Sequence, residues 1–405
     1  MKQQHSIFNI AVLVAALGYF VDIYDLLLFG IIRVPSLISL GLTPEAVRTD
    51  GEMIISVQML GLLIGGFVWG VMGDKKGRLS VLFGSILLYS VANIANGFVQ
   101  TVNQYAWCRF IAGIGLAGEL GAGITLVSEL LPKEKRGIGT SMVAGIGLTG
   151  AVVAYFIKQQ FDWRVCYFIG GGMGFMLLFL RVSVFESGTF TATKNMNIKK
   201  GNFLMLFNKK ERFFRYLKCV AIGVPTWFVI GVLVSFSNNF AKAFNIQEPI
   251  DPGRAIMFAY AGISAGDILI GLLSQYLQSR KKALYVFYAL TIVFMAMYFM
   301  QDGGSANTMY LICGGLGFST GFWAIFVTIG AEHFGTNLRA TAATTIPNVV
   351  RGALPLIIIL FKFLREQTNE ITGGIITGAV CMAIAITAAY FTTETFNKDL
   401  NFVEE

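Results

Sequence analysis

The chain has 405 residues, 55% of them hydrophobic and only 13% charged, with a mean hydropathy of +0.67. That apolar content exceeds what a soluble core uses; it excludes a single soluble domain and points to a polytopic membrane protein. The formal net charge of +8 invites a nucleic-acid partner, but the cations follow membrane topology instead, so none is expected.

Apolar runs of roughly 20 residues, enough to cross about 30 Å of hydrocarbon, recur along the chain. Taken in order they predict twelve helical spans over 7–31, 53–72, 79–99, 105–130, 138–157, 164–183, 215–237, 254–277, 283–301, 308–330, 340–363 and 371–391. The longest gap falls between the sixth and seventh. With the N-terminus inside, the inner segments carry 21 Lys/Arg and the outer segments 8, namely Arg33, Arg48, Lys158, Arg164, Lys242, Arg254, Lys362 and Arg365. Both termini are therefore expected in the cytoplasm. The first span contains acids, outruns a signal-length core and lacks a small-x-small cleavage site, so it is expected to stay in the mature protein. Five cysteines without C-x-x-C spacing, and two distant histidines, His5 and His333, predict neither a disulfide framework nor a metal site.

The two halves share a plan. Gly70 matches Gly271, and Ile111 and Gly113 match Ile312 and Gly314. "ELLPKEKR" (Glu129 to Arg136) matches "EHFGTNLR" (Glu332 to Arg339), with Glu and Arg seven apart in each. A duplicated carrier fold requires such a repeat. The expected architecture is an all-α membrane protein of twelve transmembrane helices in two pseudo-symmetric six-helix bundles: 1–183, a cytoplasmic linker 184–214, 215–391, and a tail 392–405. Phe203, Leu204, Leu206 and Phe207 predict a short amphipathic helix in the linker.

Between spans two and three the chain reads "GVMGDKKGRLS", Gly70 to Ser80. It resembles the loop signature of the major facilitator superfamily, with Leu79 replacing the usual second basic residue. In span four, "RFIAGIGLAGELGAGITLVSELLPKEKRG" (Arg109 to Gly137) is similar to metabolite:H⁺ symporters and, less closely, to sugar porters and aromatic-acid:H⁺ symporters. "DIYD" in span one, Asp22 to Asp25, sits in the register of the Glu-x-Tyr-Asp that metabolite symporters often carry. The resemblance implies that spans 1, 4, 7 and 10 line a central cavity. It also implies a cytoplasmic gate of Asp74, Arg78, Glu129, Arg136, Glu332 and Arg339 that holds the outward-open form. In the second half Gln275 replaces the acid of the loop, so that latch is degraded.

Ionised groups at bilayer depth are costly and usually face a partner or a wet cavity. Asp22 and Asp25 share one helix face, at a depth similar to that of Arg109. One aspartate is expected to pair with Arg109 and the other to exchange a proton; a static pair that only fixes packing is the alternative. Glu119, amid Gly115, Gly118, Gly121 and Gly123, is the second proton candidate, or else a protonated interhelical donor. Arg351, near the midplane of span eleven, needs a partner: either Asp267 or a substrate anion. Tyr19, Trp227, Tyr260 and Trp323 are candidates to stack on a ligand, Asn348 adds a polar group beside Arg351, and Pro225, Pro347 and Pro355 are expected to interrupt spans seven and eleven.

The expected function is secondary active transport, a proton-coupled symport of a small polar metabolite, an organic acid or zwitterion, by alternating access. Proton-driven export and a non-transporting nutrient sensor are the alternatives. The spacing of His and Cys argues against an enzyme, and no G-x-x-x-x-G-K-[ST] marks a primary pump. The expected partners are a small-molecule substrate and the lipid bilayer, with no cofactor beyond H⁺ as coupling ion, in a monomer of the plasma membrane, or of the inner membrane in a Gram-negative cell.

Overall fold

The structure is a computed structural model that describes residues 10–131, 133–181, 204–398 and 402–404. Among these residues there is no strand, and eleven helical segments are long and apolar enough to cross a membrane. The first half comprises α1 (Ile10–Ser39), α2 (Pro44–Lys76), α3 (Arg78–Asn96), α4 (Val102–Leu116 and Glu119–Leu130), α5 (Lys133–Leu148 and Gly150–Gln160) and α6 (Trp163–Arg181). The second comprises α7 (Lys210–Ile222, Val224–Phe228 and a π-helical Val229–Val234), α8 (Pro252–Tyr276), α9 (Arg280–Phe299), α10 (Ala306–Ser319 and Trp323–His333), α11 (Arg339–Gly352 and Leu354–Gln367) and α12 (Glu370–Tyr390). A helix Ser237–Ala243 follows α7. The twelfth span is α4, whose two helical pieces meet at Ala117 and Gly118.

Local chemistry starts the helices. Thr43, Thr101, Ser279, Ser305 and Asn369 each accept a hydrogen bond from the amide three residues on, which satisfies a donor that the first turn leaves orphaned. Gly77 turns α2 into α3 at φ 99°, and Gln278 occupies the corresponding turn between α8 and α9 at φ 48°. The Lys76–Arg78 end of the molecule is here called the basic face.

The duplication reappears as backbone-to-backbone packing. On α2, a Cβ at Gly61 or Gly65 would lie 2.3 Å from the carbonyl oxygen of Phe110 or Ile114 on α4. On α8, a Cβ at Gly262 or Gly266 would lie 2.1 or 2.3 Å from that of Gly314 or Phe318 on α10. Each pair is a G-x-x-x-G, and the two stand 201 residues apart. Only glycine lets these helices close on each other, because apolar side chains gain nothing by leaving lipid and close van der Waals contact must replace the hydrophobic drive.

Several expectations need correction. α1 continues to Ser39, eight residues past its predicted end. Spans four, five and ten are interrupted, at Ala117–Gly118, at Thr149 and at Thr320–Phe322; a glycine, Gly118, Gly150 or Gly321, lies in or beside each break and eases the departure from helical geometry. Pro347 sits inside an unbroken helix, and the interruption of α11 falls at Ala353, ahead of Pro355. Of the linker, residues 184–203, with Phe203, lie outside the described residues. Its end forms a turn of helix, Met205–Asn208, with Met205 and Leu206 buried and Leu204 and Phe207 exposed.

Gly65→Ala and Gly266→Ala should each lower the thermal unfolding midpoint, reflecting an overpacking cost of about 1–3 kcal/mol. Gly123→Ala, whose new methyl would meet only Ala15 at 3.7 Å, should not lower it. Thermal denaturation of the three purified variants in detergent makes the comparison.

Candidate transport site

Arg109 and Asp25 form an ion pair of 3.0 Å with neither side chain exposed. Arg109 Nη1 also donates to Asn93 Oδ1 at 3.2 Å and Nη2 to the Asp25 carbonyl at 3.4 Å, while the guanidinium lies 5.3 Å from the Tyr167 ring centre. The Tyr167 and Tyr105 hydroxyls are 2.9 Å apart. These groups come from α1, α3, α4 and α6, so Arg109 is enclosed by its own half of the molecule. Asn93 was missed in the sequence, although an asparagine in the apolar run "SVANIAN" is itself a signal.

A second set of polar groups gathers where the halves meet. Tyr19 on α1 is fully enclosed and lies within electrostatic reach of Arg351, Tyr260, Asp22 and Asp267. Asp22, one turn from Tyr19, is also buried. Arg351 Nη1 donates to Asn348 Oδ1 at 3.1 Å, and its guanidinium sits 5.5 Å from the Trp323 ring centre. Trp323 meets Trp227 edge to face at 6.3 Å. Asn348 Nδ2 donates at 2.8 Å to the Ala117 carbonyl, at the break in α4 of the opposite half.

Asp267 does not partner Arg351. Its Oδ1 accepts the Ala324 amide at 2.9 Å and caps the second piece of α10, where the aligned peptide dipoles favour a negative charge. Four donors of this set, Tyr19 Oη, Trp227 Nε1, Trp323 Nε1 and Arg351 Nε, are buried and make no hydrogen bond among the described residues; Asp267 Oδ2 is in the same position as an acceptor. Buried polar groups are ordinarily satisfied. A cluster rich in donors around a guanidinium is matched to an anion with two oxygens. Glu119, 1% exposed, opens the second piece of α4, directly after the break.

The basic face is sealed. Asp74 Oδ2 accepts both the amide (2.8 Å) and the hydroxyl (2.6 Å) of Thr341, so an acid of the first half caps the first turn of α11 in the second. A Cβ at Gly121 would fall 2.5 Å from Thr344 Cα, and the Thr328 hydroxyl donates to that of Thr140 at 3.2 Å. Glu332 pairs with Arg280 at 3.2 Å, and Arg339 is fully buried in the first turn of α11. The side chains of Arg78, Glu129 and Arg136 lie outside the described residues. Ser264 on α8 donates to the Gly145 carbonyl on α5 and closes a second seam. Thr341, Thr344 and Thr140 were missed; three threonines within "RATAATTIPN" are unusual in a membrane span and could have marked the seam.

Closure at the other face is looser. Lys362 pairs with Glu52, and Lys158 with Asp251 at 3.3 Å. Between these contacts a narrow crevice of about 40 Å³, room for about one water, runs among α1, α2, α7, α8 and α11 and reaches Trp227.

On the basic face of the second half, Glu394 accepts from the Ser279 hydroxyl and from the amides of Arg280 (3.0 Å) and Lys281 (3.2 Å), capping α9. Burial raises its pKa, but these hydrogen bonds, with one from the Phe396 amide, outweigh burial and hold it below the ordinary carboxylate value.

The family model described as Major Facilitator Superfamily matches residues 15–358. The chain belongs to the major facilitator superfamily. It is 26% identical to the sialic acid transporter NanX of Escherichia coli, over 83% of this chain and 82% of that one. To the benzoate transport protein of Acinetobacter baylyi it is 22% identical, over 79% and 75%. Its fold matches that of the proton:xylose symporter XylE with a TM-score of 0.77 over 98% of both chains, at 18% identity. The protein is thus a multi-pass membrane transporter and not an enzyme.

Asp25→Asn and Arg109→Gln should each destabilise the protein by about 3–5 kcal/mol, since each leaves one buried group without its partner. The double variant should recover part of that loss, read as a non-additive shift in thermal midpoint. For Glu394, the lowered folded pKa means that its contribution is complete above the ordinary value of 4.5 and is lost as pH falls through the folded value. The stability difference between wild type and Glu394→Gln should therefore stay constant from pH 7 to about 5 and shrink below about 4.5.

Proposed function

We propose that this protein is a proton-coupled symporter that imports a small carboxylate metabolite by alternating access. The observation that carries the reading is Arg351: a buried guanidinium at the junction of the halves, ringed by unsatisfied donors and joined to no carboxylate among the described residues. Sialic acid and benzoate, the compounds that name two of its relatives, are both carboxylates, which supports the substrate class. Arg351 would take the carboxylate, with Asn348 fixing the guanidinium and Tyr19, Trp227 and Trp323 contributing donors and ring faces.

Asp25, bound to Arg109, and Asp22, beside Tyr19, would carry the proton, with Glu119 as the further acid. Protonation of Asp25 would release Arg109, and the same enclosure that makes the pair tight makes its protonation state matter to packing. Asp74 with Thr341, and the acids and arginines of the basic face including Arg78, Glu129, Arg136, Glu332 and Arg339, would hold that face shut. The basic face would be cytoplasmic, as its excess of Lys/Arg requires, in a monomer of the plasma membrane with no cofactor beyond the proton.

Reconstituted proteoliposomes offered labelled carboxylates, sugars and amino acids test the reading. A carboxylate should accumulate against its gradient only when the outside is more acidic. Arg351→Gln and Arg351→Lys should both raise its half-saturation concentration about tenfold or more, because an ammonium cannot make two parallel bonds. Asp22→Asn and Asp25→Asn should each abolish accumulation; wild-type accumulation in both would remove the proposed proton route, and uptake confined to neutral solutes would remove the substrate class.

A further inference from the structure

Arg33 ends the polar face of α1 on the side opposite the basic face. Only 8% of it is exposed, and its buried Nε makes no hydrogen bond among the described residues. The nearby acid, Glu52, whose charge Arg33 feels, is already bound to Lys362. The side chain is seated by a glycine: a Cβ at Gly51 would come within 2.6 Å of Arg33 Cδ. The guanidinium borders a space of about 300 Å³, whose other lining includes Asn238, Asn239 and Lys242 from the helix after α7 and Val34 and Phe236. No acid is among the described lining residues, and Asn238 Oδ1 is a further buried atom that makes no hydrogen bond among the described residues.

We infer that Arg33 and Lys242 form an anion-binding subsite for a small carboxylate, set between the two halves at the mouth of the crevice that leads to Arg351. An ordinary buried arginine answers its desolvation with a carboxylate or a set of carbonyls. Arg33 instead faces a cleft of several waters' volume beside a second cation, where low-dielectric walls focus the field and concentrate anions. Phe236 lines both this space and the crevice below it, and the crevice reaches Trp227, which touches Trp323, on which Arg351 lies. Two guanidiniums thus stand at the two ends of one path, the outer open to arrival and the inner enclosed. The staging role rests on the carboxylate reading above; the anion site does not.

The test uses thiol labelling of the purified full chain. Val34→Cys places a thiol at the edge of the space, in a background carrying Cys108→Ser, because Cys108 is the native cysteine that is not buried. An anionic thiosulfonate reagent should label it at least about fivefold faster than a cationic one of equal size. Benzoate should slow the anionic reagent saturably, and benzamide should not. Adding Arg33→Gln should bring the rate ratio to about one and remove the protection, whereas adding Arg351→Gln should leave both. Should Arg33→Gln fail to fold, Lys242→Gln carries the test, with at least a twofold fall in the ratio expected. A ratio unchanged by the Arg33 or Lys242 replacement, protection equal for benzoate and benzamide, or protection lost with Arg351→Gln overturns the inference. Because labelling reads the outer site without transport, the inference survives if no carboxylate is carried, and it falls alone if uptake is as proposed but the ratio stays flat.

Discussion

A guanidinium cannot shed its charge at bilayer depth, so the surroundings must supply compensation. The two halves of this protein answer that constraint differently. Around Arg109 the first half assembles Asp25, Asn93, a backbone carbonyl and a tyrosine ring, all from one bundle. Around Arg351 it is answered by a neutral amide and the face of an indole. An amide and a ring together stabilise a cation by roughly a few kcal/mol, less than a desolvated ion requires. Arg109 thus meets a carboxylate inside its own bundle, whereas Arg351 at the junction is bonded to none among the described residues.

The helix breaks make that junction possible. α4 and α10 both stop near mid-membrane, and each break exposes backbone groups that must be satisfied by something other than the helix itself. In α4 the Ala117 carbonyl receives Asn348 from the other half; in α10 the Ala324 amide is taken by Asp267 within its own half. The glycine pairs Gly61/Gly65 and Gly262/Gly266 bring α2 onto α4 and α8 onto α10 closely enough for such contacts to form. Here the repeat is conserved in backbone geometry while the polar chemistry laid over it diverges, with Gln275 standing where Asp74 has its counterpart.

Much of this was legible in the sequence because membranes impose simple rules. Span number, the class of fold and the identity of the buried charges follow from run length and from the cost of an ion in hydrocarbon, and Asp22, Asp25, Arg109 and Arg351 stand out against apolar runs for that reason. Which aspartate faces Arg109 was not legible: three residues along a helix leave both on nearly one face, and the choice is made by Asn93 and Tyr167 from other helices. The proposed Arg351–Asp267 pair failed on similar grounds, since no periodicity encodes that Asp267 meets a helix terminus created by a break. Thr341 alone carries no charge and leaves the hydropathy of the run intact, so only its grouping with Thr344 and Thr345 marks it in the sequence.

Asn348 joins the two requirements of a carrier in one side chain. Its Oδ1 holds Arg351, while its Nδ2 holds the Ala117 carbonyl across the seam between the halves, and Gly66 packs against its Cβ. The seam cannot open at the basic face without parting α11 from α2 and α4, so the Asn348–Ala117 bond must break in that step along with the Asp74 cap on Thr341. An anion bound to Arg351 competes with Asn348 for Nη1. If the guanidinium turns toward the anion, Asn348 keeps its bond to the Thr344 carbonyl but loses the one on its Oδ1, and the amide that bridges the seam is held less firmly. On the proposed reading, occupancy of the site would weaken the seam through Asn348, a coupling bounded by the worth of one hydrogen bond to a charged group, roughly 1.5–3 kcal/mol, and would act without any contact between substrate and gate.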